Sequence, residues 1–234
     1  MTCDTFLEQL KTDYTMVRVL GNKNGATTLL LRHLTLGRYI VLHRFSAAVP
    51  LYALLKTTAI PHLPTVYDTY EFEDGQIVLE EYIDGLTVAD VLENGLYTYG
   101  GAKKVLCAVG GALTTLHRAG FVHRDVKPEN IMISNDGDIT LIDFNASRTV
   151  TPTAQTDTVQ IGTIGYAAPE QLGLSQSDRR TDIYALGVLL NVLLTGKHPS
   201  QQLAHGKVGK LVLKCTQIDP LSRFQSVEDF LGAL

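Results

Sequence analysis

Two short apolar runs between residues 121 and 145 constrain the fold of this chain more than any other feature. The segment is FVHRDVKPENIMISNDGDITLIDFN, in which IMIS and ITLI have β-strand composition and NDGD is typical of a turn. Antiparallel pairing around this turn sets Ile131 opposite Ile142 and, one step further, Asn130 opposite Asp143. We therefore expect a hairpin whose open end carries an amide and a carboxylate side by side.

The polar side chains at that open end have the chemistry needed for phosphoryl transfer. Amide and carboxylate oxygens are hard ligands, so Asn130 and Asp143 are candidate ligands for Mg²⁺. Asp125 precedes Asn130 by five residues, with Lys127 between them. The carboxylate would orient and deprotonate an acceptor hydroxyl, and the lysine would neutralise charge on the transferred phosphate. The segment thus predicts Asp125 and Lys127 as catalytic residues beside a metal site.

Five motifs in a fixed order resemble those of eukaryotic-like Ser/Thr protein kinases. They are HRDVKPEN at 123–130, DF at 143–144, GTIGYAAPE at 162–170, TDIYALGVLLNVLLTGKHP at 181–199 and DPLSRF at 219–224. A match to HRD alone would be weak, but the ordered set is specific. The resemblance implies a single α+β, bilobal protein-kinase-like domain, with a small β-rich N-lobe (1–83) and a mainly helical C-lobe (84–234).

The resemblance also implies roles for individual residues. Thr163 takes the place of the threonine that bonds to the catalytic aspartate and lysine of the family. His123 is expected to pack under Phe144, and ATP is expected to bind in the cleft between the lobes with Mg²⁺ or Mn²⁺. The implied nucleotide contacts are Gly21, Lys23, Val41, His43, Glu80, the hinge residues Glu81 and Ile83, and Met132. Structural pairing of Glu170 with Arg223 is expected as well.

The N-lobe departs from the family pattern where the phosphates should be held. In YIVLHRF (39–45), His43 stands in the place of the phosphate-binding lysine. Strand alternation sets Val41 on the same face as His43 and Arg44 on the opposite face. The helix expected to supply a glutamate to that lysine has no carboxylate between residues 46 and 60.

Three residues are candidates for replacing the family's phosphate-binding lysine and its glutamate partner. His43 would donate to the phosphates when its imidazole is protonated, which happens near neutral pH for this side chain. Glu80 would replace the missing helix glutamate as its partner. Lys23, in the glycine-poor loop LGNKNGATT, would supply a permanent positive charge.

We call His43, Glu80 and Lys23, the residues that would hold the phosphates, the phosphate clamp. Two hypotheses about activity follow from its difference from the family pattern. The chain is either an ATP- and Mg²⁺-dependent protein Ser/Thr kinase or a pseudokinase that acts as a nucleotide-binding or scaffold module. Retention of Asp125, Lys127, Asn130 and Asp143 together favours the enzyme, because folding alone does not require them. A small-molecule phosphotransferase is disfavoured by the GT…GY…APE segment, which docks a peptide in the family.

Periodicity predicts the remaining elements. Strands are expected near 15–20, 27–33 and 38–45, with GNKNG as a turn, and a hairpin is expected around EDG at 73–75. Helices are expected at 49–59, from a capping box at Thr87 and Asp90, over 101–119, over 182–195 and in the C-terminal VEDFLGAL.

Composition disfavours several other classes of protein. The 234 residues carry a net charge of −4 with dispersed lysines and arginines, so nucleic-acid binding is not expected. No apolar run approaches the roughly 20 residues of a membrane span, and the first residues lack a signal-peptide pattern. Three separated cysteines favour reduced thiols in a cytoplasmic protein. The expected partners are ATP and a protein substrate.

Overall fold

The computed structural model describes residues 2–23, 25–150, 165–172 and 176–234. The chain divides into two compact units. The first comprises Met1–Ile60 and Pro64–Ile83, and the second comprises Pro61–Leu63 and Asp84–Leu234. The first unit is rich in β-strands and the second is mainly helical, which is the expected α+β class.

A five-stranded antiparallel sheet with the order β1-β2-β3-β5-β4 forms the centre of the first unit. Its strands are β1 (Tyr14–Lys23), β2 (Ala26–His33), β3 (Tyr39–Phe45), β4 (Val66–Phe72) and β5 (Gly75–Glu81). The predicted strands are confirmed, but β1 is longer than expected. Lys23 pairs with Ala26, and Gly25 has a φ of +75°, so a tight hairpin connection replaces the longer GNKNG turn.

One face of this sheet is covered by a helix that was not predicted, α1 (Cys3–Leu10). Phe6, Leu7 and Leu10 of α1 pack against a buried cluster. The cluster consists of Cys3, Leu31, Ile40, Leu42, Ile77 and Leu79. Arg44 also extends to this face, as alternation predicts, and donates to Asp4 Oδ1 at 2.7 Å.

A short helix, α2 (Leu51–Thr57), packs on the other face of the sheet, at the position that the sequence predicted. Tyr52 of α2 is fully buried, and its ring centroid lies 5.5 Å from that of Phe45 and 6.1 Å from that of His43. Helix α2 therefore contributes aromatic packing to the face of β3 that carries His43.

The second unit is built from helices with short strands between them. Its helices are α3 (Val88–Glu93), α4 (Tyr99–Arg118), α5 (Arg179–Thr195), α6 (Gly206–Cys215) and α7 (Val227–Ala233). Its strands are β6 (Gly85–Thr87), β7 (Phe121–Val122), β8 (Ile131–Ser134), β9 (Ile139–Leu141) and β10 (Arg148–Thr149). Strands β6, β8 and β9 form one small sheet, and β7 pairs with β10.

Helix α5 is the centre of the second unit and packs against α4, α6 and α7. Its apolar composition on nearly all sides predicted a buried helix, and most of its residues are buried. The predicted capping box at Thr87 is also present. The backbone amide of Asp90 donates to Thr87 Oγ1, and the backbone amide of Thr87 donates to the Asp90 carboxylate. Helix α6 was not predicted.

The described residues include the three cysteines and the helices given above. Cys3 and Cys215 are buried free thiols, and Cys107 is an exposed one. Among the described helices, none is long and apolar enough to cross a membrane.

Candidate functional site

The hairpin of β8 and β9 is present, but its register differs by one residue from the prediction. Ile131 pairs with Leu141, and the amide of Ile142 donates to the carbonyl of Asn130 at 2.8 Å. The predicted direct pairing of Asn130 with Asp143 is therefore wrong, because Asp143 comes one position later. The cause is a connection of three residues, 135–137, in place of four; Gly137 takes a φ of +86°, as three-residue hairpin loops require.

Three of the predicted residues meet at the carboxylate of Asp125. Lys127 Nζ donates to Asp125 Oδ2 at 2.6 Å, and Asn130 Nδ2 donates to the same oxygen at 2.9 Å. Asn130 Nδ2 also donates to the backbone carbonyl of Asp125 at 2.9 Å. The amide nitrogen of Asn130 is thereby committed to Asp125, which makes its amide oxygen the atom suited to bind a cation.

A fully buried carboxylate, Asp182, holds the loop that carries Asp125. It accepts from the amides of His123 and Arg124 at 3.0 and 2.8 Å and from His117 Nε2 at 2.7 Å. Burial acts to raise the pKa of Asp182, but the hydrogen bond and charge of His117 and the loop amides outweigh it, so the pKa is lowered. The ionised carboxylate therefore fixes a loop in which Arg124 has a φ of +72°.

His123 packs against Phe144, as the resemblance implied. Both side chains are fully buried, and their rings meet edge to face with centroids 5.5 Å apart. Burial lowers the pKa of His123, so the ring is neutral at pH 7. This contact ties Asp143, the neighbour of Phe144, to the loop of Asp125.

Asp143 is held in a left-handed conformation with a φ of +66°, which aspartate tolerates better than most residues. Its Oδ1 accepts from the amide of Asn145 at 3.2 Å. The described residues contain no group of three or more His, Cys, Asp or Glu side chains that could hold a metal by themselves. Asn130 and Asp143 instead offer two hard oxygen ligands, which fits Mg²⁺ bound together with phosphates and water.

A second buried network anchors the segment that follows residue 164. Arg223 donates from Nη1 and Nη2 to the two carboxylate oxygens of Glu170 at 2.7 and 2.8 Å, as expected from the resemblance. Gln171, which sequence reasoning missed, donates to the carbonyl of Arg124 at 2.8 Å. This contact connects the segment directly to the loop of Asp125. Thr163 lies outside the described residues.

His43 occupies a buried polar position within the sheet of the first unit. Its Nε2 lies 2.7 Å from Glu80 Oε1, the partner that sequence reasoning named. Its Nδ1 lies 3.0 Å from Oγ1 of Thr28, a residue that sequence reasoning did not name. The sequence placed Thr28 on the neighbouring strand but did not show that it pairs with His43, because that pairing depends on the register of β2 and β3.

The remaining nucleotide candidates lie on strands or strand ends. Gly21 pairs with Thr28 in β1 and β2, and Val41 is buried opposite Glu80. The amide and the carboxylate of Glu81 both bond to the backbone of Thr65. Three further candidates are placed by backbone position: Lys23 at the end of β1, half-buried Ile83 after β5, and half-buried Met132 in β8.

Comparison with known proteins identifies the family. A model described as "Protein kinase domain" matches residues 51–229. The chain is 45% identical over 141 residues to serine/threonine-protein kinase PknL of Mycobacterium tuberculosis. The aligned region covers 58% of this chain and 35% of that protein. It is 30% identical over 194 residues to serine/threonine-protein kinase PrkC of Bacillus subtilis, which covers 72% of this chain and 30% of that protein.

The chain thus spans about a third of the length of these curated relatives. The family model, however, extends from helix α2 to helix α7 and covers well over half of the chain. It includes the loop of Asp125, the metal-ligand candidates and the buried pair of Glu170 and Arg223. On this match and on the ordered motifs, the chain belongs to the eukaryotic-like Ser/Thr protein kinase family.

Proposed function

We propose that this chain transfers the γ-phosphoryl group of ATP to Ser or Thr hydroxyls of protein substrates. The observation that carries the proposal is the shared carboxylate oxygen of Asp125, which accepts from both Lys127 and Asn130. A carboxylate, a cation and a metal-ligand candidate are the parts that such a transfer needs on one loop. The names of the relatives, which are Ser/Thr kinases, support the same activity.

The residues of the second unit have distinct roles in this proposal. The oxygen of the acceptor hydroxyl bonds to the γ-phosphorus while the bond from that phosphorus to the departing ADP oxygen breaks. Asp125 accepts the proton that the hydroxyl loses. Lys127 neutralises charge on the transferred group, and Thr163, by its likeness to the threonine of the family, is proposed to act with Asp125 and Lys127. Asn130 and Asp143 would hold Mg²⁺ or Mn²⁺, which when bound neutralises charge on the donor phosphates.

The residues of the first unit serve the nucleotide in this proposal. Val41 contacts the base, and the backbone from Glu81 to Ile83 bonds to its edge. Met132 is a further candidate contact of the base. Gly21 and Lys23 belong to the strand that faces the phosphates. His43 and Glu80 replace the lysine and glutamate that hold the phosphates in the family.

One observation favours the alternative of a pseudokinase that binds nucleotide or serves as a scaffold. Both ring nitrogens of His43 lie within hydrogen-bond distance of side chains in the sheet, Thr28 and Glu80. A histidine bonded in this way has less freedom to donate to a phosphate than the four-carbon side chain of a lysine. Either function would take place in the cytoplasm, a setting that three free thiols support.

The two functions are separated by measuring transfer from labelled MgATP to a generic protein substrate. We expect Asp125→Asn to lower the rate by at least about 100-fold, because a positioned general base contributes that much. Asp136→Asn is the matched control, since Asp136 is an exposed carboxylate in the β8–β9 turn. Absence of transfer by the wild type, together with stabilisation by MgATP, would favour the pseudokinase.

A further inference from the structure

A chain of three polar side chains crosses the sheet of the first unit on one face. Thr28 of β2 is the direct cross-strand partner of His43 in β3, and His43 connects to Glu80 of β5. His43 and Glu80 are 7% and 3% exposed, so their polar atoms depend on partners inside the protein. Each of the three residues belongs to a different strand, and Glu80 lies diagonally across from His43, because the direct partner of Glu80 is Val41.

The chemistry of the three groups fixes the orientation of the imidazole. A carboxylate oxygen accepts, so His43 Nε2 carries a hydrogen toward Glu80 Oε1 at 2.7 Å. Nδ1 faces the Thr28 hydroxyl at 3.0 Å, and a hydroxyl can either donate or accept. Thr28 therefore satisfies Nδ1 whether or not that nitrogen carries a proton, and the ring cannot flip without losing both contacts.

Thr28 also lies between two residues that the nucleotide is proposed to meet. Across the sheet, Gly21 of β1 pairs with Thr28, and Thr28 pairs with His43. A Cβ added at Gly21 would lie 4.0 Å from the Cβ of Thr28, so these two residues are in close proximity. The hydroxyl of Thr28 is thus placed where it can hold the imidazole beside the strand of Gly21.

Helix α2 has a different role from the strands around His43. Its sequence, LYALLKT, contains no acidic residue, and its Tyr52 contributes a ring contact to His43. In protein kinases generally, the partner of the phosphate-binding lysine is a helix glutamate, and helix position controls that pair. Here the carboxylate partner of His43 comes from β5, the strand hydrogen-bonded to β3.

We propose that Thr28 is a positioning residue that, together with Glu80, holds His43 for nucleotide binding. This proposal rests on the proposed function, since it concerns the same nucleotide. The strands assemble the pair of His43 and Glu80 through their register, so no movement of α2 is needed to complete it.

The test compares three variants of the full chain. Thr28→Val keeps the shape of the side chain and removes its hydroxyl, and Thr28→Ser keeps the hydroxyl. Thr27→Val is the matched control, because Thr27 is the adjacent residue of β2 and pairs with Arg44, whose side chain lies on the opposite face. For each variant, the dissociation constant of MgATP is measured by calorimetry, and the ring nitrogens of His43 are observed by ¹⁵N NMR.

We expect Thr28→Val to weaken MgATP binding about tenfold, because the imidazole loses a contact that preorganises it, and to shift the Nδ1 resonance of His43. Thr28→Ser should retain the wild-type resonance and affinity, and Thr27→Val should leave both unchanged. Equal effects of Thr28→Val and Thr27→Val, or none from either, would overturn the proposal. Binding without phosphoryl transfer by the wild type would contradict the proposed kinase activity, while the Thr28 comparison would still decide the positioning role.

Discussion

Single residues with several hydrogen bonds organise the candidate catalytic loop. Asp182 connects α5 to the loop through two backbone amides and to α4 through His117. The motif containing Asp182 was evident in the sequence, but the contribution of His117 was not, because the two residues are 65 positions apart. Partners at such separations are set by helix packing, which residue spacing does not encode.

The buried imidazole of His123 should make stability depend on pH. Its pKa in the folded chain lies below the ordinary value of 6.5 because of burial. As pH falls below 6.5, the unfolded chain binds the proton first, so this contribution to stability is complete above that pH and is lost below it. The loss for one proton is at most about 1.4 kcal/mol per pH unit.

Urea unfolding at pH 7.5 and at pH 5.5 measures this effect. We expect the free energy of unfolding to fall between these two conditions in the wild type and to fall less in His123→Gln. His205→Gln serves as the control, because His205 is exposed and its side chain makes no capping hydrogen bond at the start of α6. Identical pH dependence in all three proteins would refute the assigned role of burial.

Among the elements, the crossing of α5 and α6 depends on one glycine. A Cβ at Gly187 would lie 2.3 Å from the Cβ of Cys215, which is closer than two non-bonded carbon atoms can approach. We therefore expect Gly187→Ala to lower the free energy of unfolding by about 1–3 kcal/mol, the usual effect of overpacking. Chemical denaturation of the purified variant measures the loss.

Gly111 of α4 is the matched comparison for this substitution. A Cβ at Gly111 would have no neighbour within 4 Å. Gly111→Ala should therefore increase stability by up to about 1 kcal/mol through helix propensity alone. Equal stabilisation by both alanines would show that α5 and α6 are not in close contact at Gly187.

The elements also show where prediction from sequence succeeded and where it did not. Helix α1 was missed although Thr2 caps it and Cys3, Phe6, Leu7 and Leu10 follow a helical spacing. The β8–β9 hairpin was predicted at the right place with the wrong register, because the length of a turn cannot be read from NDGD alone. A shift of one residue then moves Asp143 away from the position opposite Asn130.

For the molecule as a whole, family likeness and divergence are unevenly distributed along the chain. The protein kinase model matches from residue 51 onward, so β1, β2 and β3 lie outside the match. Those strands carry Lys23, Thr28 and His43, the residues by which the phosphate clamp would differ from that of the family. The pairing of His43 with Glu80 was predicted from the sequence, because α2 has no carboxylate and Glu80 was named as the replacement partner.

We propose that this chain, with histidine in place of the clamp lysine, still phosphorylates protein. The most direct measurement is Mg²⁺-dependent transfer of label from γ-labelled ATP to peptides whose only hydroxyl acceptor is Ser, Thr or Tyr. We predict label on the Ser and Thr peptides and a much lower level on the Tyr peptide. A wild-type chain that is stabilised by MgATP but labels no peptide would contradict the claim.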